Sequence, residues 1–348
     1  MIVTIDAREY TVTRPVTGEK YGATEALLWR IARAARKGGH HVNVVANEPE
    51  EHFIEGIFWW TPRAFPRKCD VLIACEKLDA IREFTFKTLF APLNKIDPIL
   101  ADNEGQADAF VCLSKNHSEV LRSLNPSIHE TQCVVIEPGV DAVEQAQKVH
   151  NRLIWCNSPD RGLIHIARMW PSLLEKVPDA SIVVTYNFAR YLKNLLYVAD
   201  NQATEAMEIL EWAAANPESV HIKDGLTDEQ VREEQLAAEV YAYPCDPPHA
   251  GSMVHCFAAM EAAAAGCAVV LSGVDGLPEV FADVAEYVND PTDHEAWAEY
   301  LAALLTDEER KAALSARSRE WASARPWSKH TEGWEALIAS AQYEKAVA

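Results

Sequence analysis

No apolar run in this chain reaches the ~18 residues that a membrane-spanning helix needs, so a transmembrane segment is not expected. The chain opens directly on the strand-like MIVTIDA, without a charged stretch followed by an apolar one, and a cytoplasmic location is expected. Its eight cysteines, Cys69, Cys75, Cys112, Cys133, Cys156, Cys245, Cys256 and Cys267, form no Cys-x2-Cys pair. Reduced, buried thiols are expected rather than disulfides or a zinc centre. The twelve histidines show no metal-ligand spacing, and His40-His41 simply follow the helix-exit turn Gly38-Gly39. No Asp-x-Asp motif follows a strand, so neither a metal nor a bound cofactor is expected. The Gly-x-Gly-x-x-Gly fingerprint is missing, which argues against a nicotinamide enzyme. Positive charge is scarce: 32 Lys+Arg stand against 52 Asp+Glu, a net −20. Such a chain is a poor indiscriminate nucleic-acid binder, because that binding runs on phosphate neutralisation.

What is present is an alternation of apolar, β-branched runs with helical stretches. The first series is Met1–Ile5, Val42–Ala46, Val71–Ala74, Ala109–Leu113 and Val134–Ile136. The second is Leu153–Cys156, Ser181–Thr185, Val220–Ile222, Val240–Tyr243 and Ala268–Leu271. This pattern means βαβ units and mostly parallel sheets. With 348 residues, 49% of them apolar, two Rossmann-like α/β domains with a cleft between them are expected, joined at the turn Glu137-Pro138-Gly139. Charge is split between them. Residues 1–139 hold 16 Lys+Arg and 19 Asp+Glu, a balance of −3; residues 140–348 hold 16 and 33, a balance of −17. Most of the acidic excess lies on helical stretches such as Asp228–Glu239 and reads as solvated faces. Beyond Asp307 the chain is helical by pattern, broken at Pro326, with Trp321, Trp327 and Trp334 as packing anchors.

The segment Tyr241–Val280, YAYPCDPPHAGSMVHCFAAMEAAAAGCAVVLSGVDGLPEV, is the most informative. It reads strand, irregular loop, helix Cys256–Ala265, strand, and a turn ending in Gly276-Leu277-Pro278-Glu279. In open α/β sheets ligands sit at the carboxyl ends of strands, and helix amino termini face anions. The amides of Met253, Val254, His255, Cys256 and Phe257 are therefore candidates for an anionic ligand. Glu261 lies in an Ala-rich helix that is expected to be buried on most sides. A carboxylate buried there needs donors, and ribose hydroxyls would serve. Arg161, in Asn157-Ser158-Pro159-Asp160-Arg161-Gly162, sits between a strand and a helix. It can grip a diphosphate bidentately or pair with Asp160. Trp59-Trp60 with Arg63, Arg67 and Lys68 forms a basic-aromatic cluster. It is either a loop over a buried aromatic pair or a place for an acceptor.

These blocks resemble the retaining glycosyltransferases of the GT-B fold, family 4 (glycosyl transferases group 1). EAAAAGCAVVLSGVDGLPEV resembles the end of their Glu-x7-Glu signature and the following loop. Gly22-Ala23-Thr24-Glu25 with LLWRIARAARKGGHHVNVVAN resembles their first glycine loop, helix and second strand. AFVCLSKNHSEVL, VVIEPGVD, LIWCNSPDRGL, PDASIVVTY and VHIKDGLTDEQVREEQLAAEVYAYP resemble later blocks in the same order.

The resemblance implies two Rossmann-like domains facing across a cleft. Residues 1–139 would bind the acceptor, with a helix at about 330–348 packing back on them, and residues 140–329 would bind a UDP- or GDP-sugar. It implies donor contacts from Gly22, Ala23, Asn157, Ser158, Arg161, Ile222, Lys223, Met253–Phe257 and Glu261. Catalytic roles fall to Arg161 and Glu279, and acceptor contacts to Arg63, Arg67 and Lys68. Two departures stand out. Met253 occupies the place of the first Glu, with Ser252 or His255 as possible replacements for its sugar contact. The first domain also lacks the family's histidine, for which Glu76 and Asp97 are weak substitutes. Retaining transfer tolerates that loss, since the leaving phosphate can take the acceptor's proton. The acceptor stays open between a small molecule, a glycan and a modified DNA base, as for phage-type glucosyltransferases. A non-catalytic nucleotide-sugar binding protein is the remaining alternative.

Overall fold

The computed structural model describes residues 1–12, 22–75, 79–92, 107–195, 200–246 and 253–343. Ser252, Glu76 and Asp97 lie outside the described residues. The chain divides into two compact units, Met1–Gly139 with Pro326–Ala348, and Val140–Arg325.

The first unit is built on an eight-stranded sheet of order β3-β4-β2-β1-β5-β6-β7-β8. Its strands are β1 (Ile2–Ala7), β2 (His41–Ala46), β3 (His52–Ile54), β4 (Ile57–Trp60), β5 (Val71–Ala74), β6 (Thr88–Pro92), β7 (Ala109–Cys112) and β8 (Cys133–Val135). All neighbours pair in parallel except β3 with β4. Strands covered on both faces read as continuous apolar runs, which is why β1, β2, β5 and β7 were visible in the sequence. Helix α1 (Ala23–Lys37) buries Leu27, Leu28, Ile31, Ala34 and Ala35, the i, i+3, i+4 stripe of one face. Helix α2 (Lys115–Leu124) is capped by Ser114, whose side chain accepts from the His117 amide.

The expected loop around Trp59-Trp60 is instead strand β4. Trp59 is buried and stacks on Trp29 at 4.6 Å, while the Trp60 indole donates to Asn43 Oδ1 at 3.0 Å.

The second unit carries a six-stranded, wholly parallel sheet of order β11-β10-β9-β12-β13-β14. The strands are β9 (Arg152–Trp155), β10 (Ser181–Val184), β11 (Val220–Ile222), β12 (Val240–Tyr243), β13 (Ala268–Leu271) and β14 (Ala285–Tyr287). Its helices are α3 (Leu163–Lys176), α4 (Phe188–Leu195), α5 (Asp200–Ala215), α6 (Asp228–Ala237), α7 (Phe257–Ala264), α8 (Leu277–Phe281), α9 (His294–Thr306) and α10 (Glu308–Ser323). Its core holds Trp155, Trp170, Tyr241, Tyr243 and Trp297, each fully buried. Burying even a Leu- or Phe-sized side chain stabilises by about 1.5–3 kcal/mol.

Helix α11 (Trp327–Tyr343) returns to the first unit, where Trp334 and Ile338 join the core that α1 covers. The return begins at Pro326 rather than at 330. Helix α10 ends at Ser323, and Pro326 lacks the N–H to continue it. Gly139 meets the chain at this point; a Cβ on it would stand 2.5 Å from the Trp327 backbone, so only glycine permits the approach. Arg30 covers the Trp327 ring at 4.6 Å.

Candidate functional site

In the second unit the strand order reverses between β9 and β12, and ligands of doubly wound sheets bind outside the strand ends at such a point. The chain leaving β9 forms a 3-10 turn, Pro159–Arg161, ending in Gly162. The Arg161 amide donates to the Ser158 carbonyl at 3.1 Å, and the Asp246 amide donates to the Arg161 carbonyl at 3.3 Å. Gly162 has φ 110°, and a Cβ there would stand 2.1 Å from the Pro244 carbonyl oxygen. No other residue lets this turn lie against the end of β12.

Three polar groups tie the turn to the start of α7. The Asn157 amide donates to the Tyr241 hydroxyl. That hydroxyl is 3.6 Å from the Cys256 sulfur, which is 3.7 Å from Asn157 Oδ1. Burial raises the pKa of Tyr241 and of Cys256, keeping both neutral. Cys256 is the N-cap of α7 and its side chain makes no capping bond.

Arg161 is the informative side chain. Its Nη1 is buried and has no hydrogen-bond partner, and Asp160 Oδ1 is buried and unpartnered as well. Among the described residues no ion pair joins Arg161 and Asp160, the pairing the sequence offered as an alternative. An unmade buried hydrogen bond costs about 1–3 kcal/mol, more for a charged group, so it is found where something else completes it.

The other sequence candidates are placed less uniformly. The Met253 amide is already donated to Asp275 Oδ2 at 3.1 Å, so it is not available to a ligand as expected. Its carbonyl takes the Gly276 amide at 3.1 Å, which brings the Gly276–Glu279 turn beside it. Val254 is buried, and His255 and Phe257 are half-buried with their rings 5.3 Å apart. Glu261 corrects the expectation of burial: its helix is buried on both sides of it, but Glu261 itself is exposed, with Gln235 Nε2 donating to it at 3.4 Å. Ala-rich helices carry no amphipathic pattern, so the open face could not be read. Glu279 is exposed in the first turn of α8. Ile222 and Lys223 lie at the end of β11, the edge strand that β10 separates from β9. The Lys223 ammonium is paired with Glu234.

Among the described residues one acidic group, His150 with Glu239 and Glu308, has the proximity for a metal ion. Its cation is internal: Lys311 Nζ lies 2.7 Å from Glu239 and 2.9 Å from Glu308.

In the first unit Gly22 is exposed before α1, and Ala23 begins that helix. Arg63, Arg67 and Lys68 are exposed; Arg67 also lies 3.8 Å from Glu83 and 5.4 Å from the Phe65 ring centre. The returning helix adds a buried histidine to this unit. His330 of α11 lines a small apolar pocket with Thr24, Leu28 and Trp334. It is buried, its Nδ1 has no partner, and desolvation lowers its pKa to about 4.

This is the architecture of the GT-B glycosyltransferases: two α/β units, each on a mostly parallel sheet. Residues 166–321, most of the second unit, match the family described as Glycosyl transferases group 1. Sucrose-phosphate synthase from Thermosynechococcus elongatus is similar in structure, with a TM-score of 0.75 at 14% identity over 98% of each chain. So is HepE from Anabaena in complex with UDP and glucose, at 0.69 and 14%, over 98% of this chain and 100% of that one. WaaG, a glycosyltransferase involved in lipopolysaccharide biosynthesis, scores 0.67 at 15% identity, over 97% and 99%. A GDP-mannose-dependent alpha-(1-6)-phosphatidylinositol monomannoside mannosyltransferase of Mycobacterium tuberculosis is 26% identical over 184 residues. That match takes in 52% of this chain and 43% of the relative, less than half the relative's length. Among the described residues no helix is long and apolar enough to cross a membrane.

Proposed function

We propose that the chain moves a sugar from a nucleotide-sugar donor to an acceptor hydroxyl, with retention of anomeric configuration and without a metal ion. The observation that carries this reading is the buried, unpartnered Nη1 of Arg161 at the strand reversal of the second unit. A guanidinium held there by the Gly162 turn is suited to a diphosphate and to the charge that develops as the nucleotide leaves. The amino terminus of α7 adds the positive end of a helix, whose first-turn amides need no particular side chain to meet an anion. Glu261, exposed on that helix, then accepts from the ribose hydroxyls. The first unit holds the acceptor, and Arg63, Arg67 and Lys68 are exposed cations there. The likeness to a solved complex with UDP and to a GDP-mannose-dependent relative supports testing both bases.

The experiment is calorimetric titration of the full chain with UDP and with GDP. Arg161→Ala is expected to weaken the tighter of the two by about 1.5–3 kcal/mol, the range of a hydrogen bond to a charged group. Unchanged affinity removes Arg161 from the donor site. The anomeric configuration of the transferred sugar, read by NMR of the product, checks retention.

A further inference from the structure

Behind the Arg161 turn runs a line of three side chains that donor binding, as described, does not use. His165, in the first turn of α3, is 4% exposed. Its Nε2 lies 3.2 Å from Asp246 Oδ2, and its Nδ1 lies 3.1 Å from Nε2 of His294, the first residue of α9. The two imidazoles are 5.3 Å apart and tilted by 31°. Asp246 stands just beyond β12, and its own amide holds the Arg161 carbonyl.

The chemistry of the groups orders the protons. An ionised carboxylate only accepts, so Nε2 of His165 carries the hydrogen given to Asp246. Between Nδ1 of His165 and Nε2 of His294 one ring gives the hydrogen and the other takes it. His294 therefore orients the His165 ring with Nε2 toward Asp246, as a third group does for an oriented histidine. Burial, and after it the neighbouring His165, lower the pKa of His294, which favours a neutral imidazole there. The charged groups around the pair are Arg168 on α3, Glu208 on α5 bonded to Arg168 at 2.9 Å, and Asp290 and Asp293 ahead of α9.

We propose that His165 is a positioning residue for the Arg161 turn. His294 orients its ring, it holds the Asp246 carboxylate, and the Asp246 amide holds the Arg161 carbonyl so that the guanidinium stays available to an anion. The effect on nucleotide affinity rests on the donor reading above; the clamp itself does not.

The test titrates the full chain with UDP and GDP near neutral pH. His165→Leu, which removes both hydrogen bonds, is expected to weaken the tighter nucleotide about tenfold, the effect of one such hydrogen bond. His165→Gln, which can still donate to Asp246, is expected to recover most of that loss. In an Asp246→Ala background His165→Leu should cost little more, because the two act in series. Wild-type affinity in His165→Leu, equal losses in the Leu and Gln variants, or additive losses in the double variant each overturn the proposal. If His165→Leu does not fold, His294→Leu decides: a loss of about threefold supports the relay, since the bond that orients His165 is removed while its bond to Asp246 stays possible, and no loss overturns it. If neither nucleotide binds the wild-type protein, the donor reading fails and the clamp is judged on hydrogen exchange of the unliganded chain. Faster exchange at the Asp246 amide in His165→Leu but not in His165→Gln supports it; equal exchange overturns it.

Discussion

In the first unit the strand order turns back between β1 and β5, and the arginine just beyond β1 is fully engaged. Arg8 makes two 2.8 Å bonds to the buried Asp6 and a third, also 2.8 Å, to Glu83, and it covers the rings of Phe65 and Phe84. These bonds, Asp6 first, raise its pKa further. In the second unit the reversal falls between β9 and β12, and the arginine there keeps a buried nitrogen unbonded. Composition suggests the opposite. The unit with 30 acidic residues leaves an arginine nitrogen unbonded, and the unit with 22 saturates its own arginine. Each sheet has a strand reversal; the two differ in whether the chain's own carboxylates bond the arginine beside it. Net charge per domain cannot report this, because it averages over surfaces that never meet the crevice.

The largest expected difference between the units is in acid. His117 and His330, both in the first unit, have folded pKa values of about 4 against an ordinary 6.5, because burial disfavours their charged forms. As pH falls through 6.5 the unfolded chain takes up these protons while the folded one refuses them until about 4. Stability is therefore lost across that window, by up to about 3 kcal/mol for each group. Pulsed hydrogen exchange between pH 6.5 and 4 should show peptides of the first unit losing protection before those of the second. The reverse order would break the comparison.

Next is Gly162→Ala, expected to cost about 3 kcal/mol or more from the left-handed backbone and the Pro244 clash together. Gly225 shares the unit and the sign of φ, at 68°, but a Cβ there meets nothing within 4 Å. Gly225→Ala should cost only about 1–2 kcal/mol. Equal losses by thermal unfolding would mean that the turn gives way and does not need its glycine.

The smallest effect sharpens the arginine contrast. Arg8→Ala leaves Asp6 buried and unpaired and should destabilise the fold by about 1–3 kcal/mol without changing UDP or GDP affinity. Arg161→Ala should do the converse. Nucleotide affinity that falls in Arg8→Ala would show that both crevices serve the donor.

Much of this architecture was legible as ten apolar runs, because parallel strands covered on both faces have no polar side to interrupt them. The four strands not foreseen lacked that signature. HFI and IFWW are short and only partly buried at a sheet edge, TLFAP ends in proline, and AEY is three residues long. Arg161 could be picked out because a strand, a turn and a helix surround it within a few residues. His165, Asp246 and Asp275 could not, because their partners stand far off in sequence and no local periodicity links them. The exposure of Glu261 was misjudged for a related reason: a run of alanines specifies a helix but not which side of it faces out.

The return of α11 has a consequence for how the chain becomes a protein. Trp334, Ile338 and Ala341 belong to the same core as Val3, Ile5 and Val44. During synthesis the first unit therefore waits, its sheet made and one flank of its core uncovered, until the whole second unit has been threaded through. The second unit, Val140–Arg325, has all its own residues in hand earlier. Domains ordinarily close in the order in which they are made. Here the part that begins first is finished last.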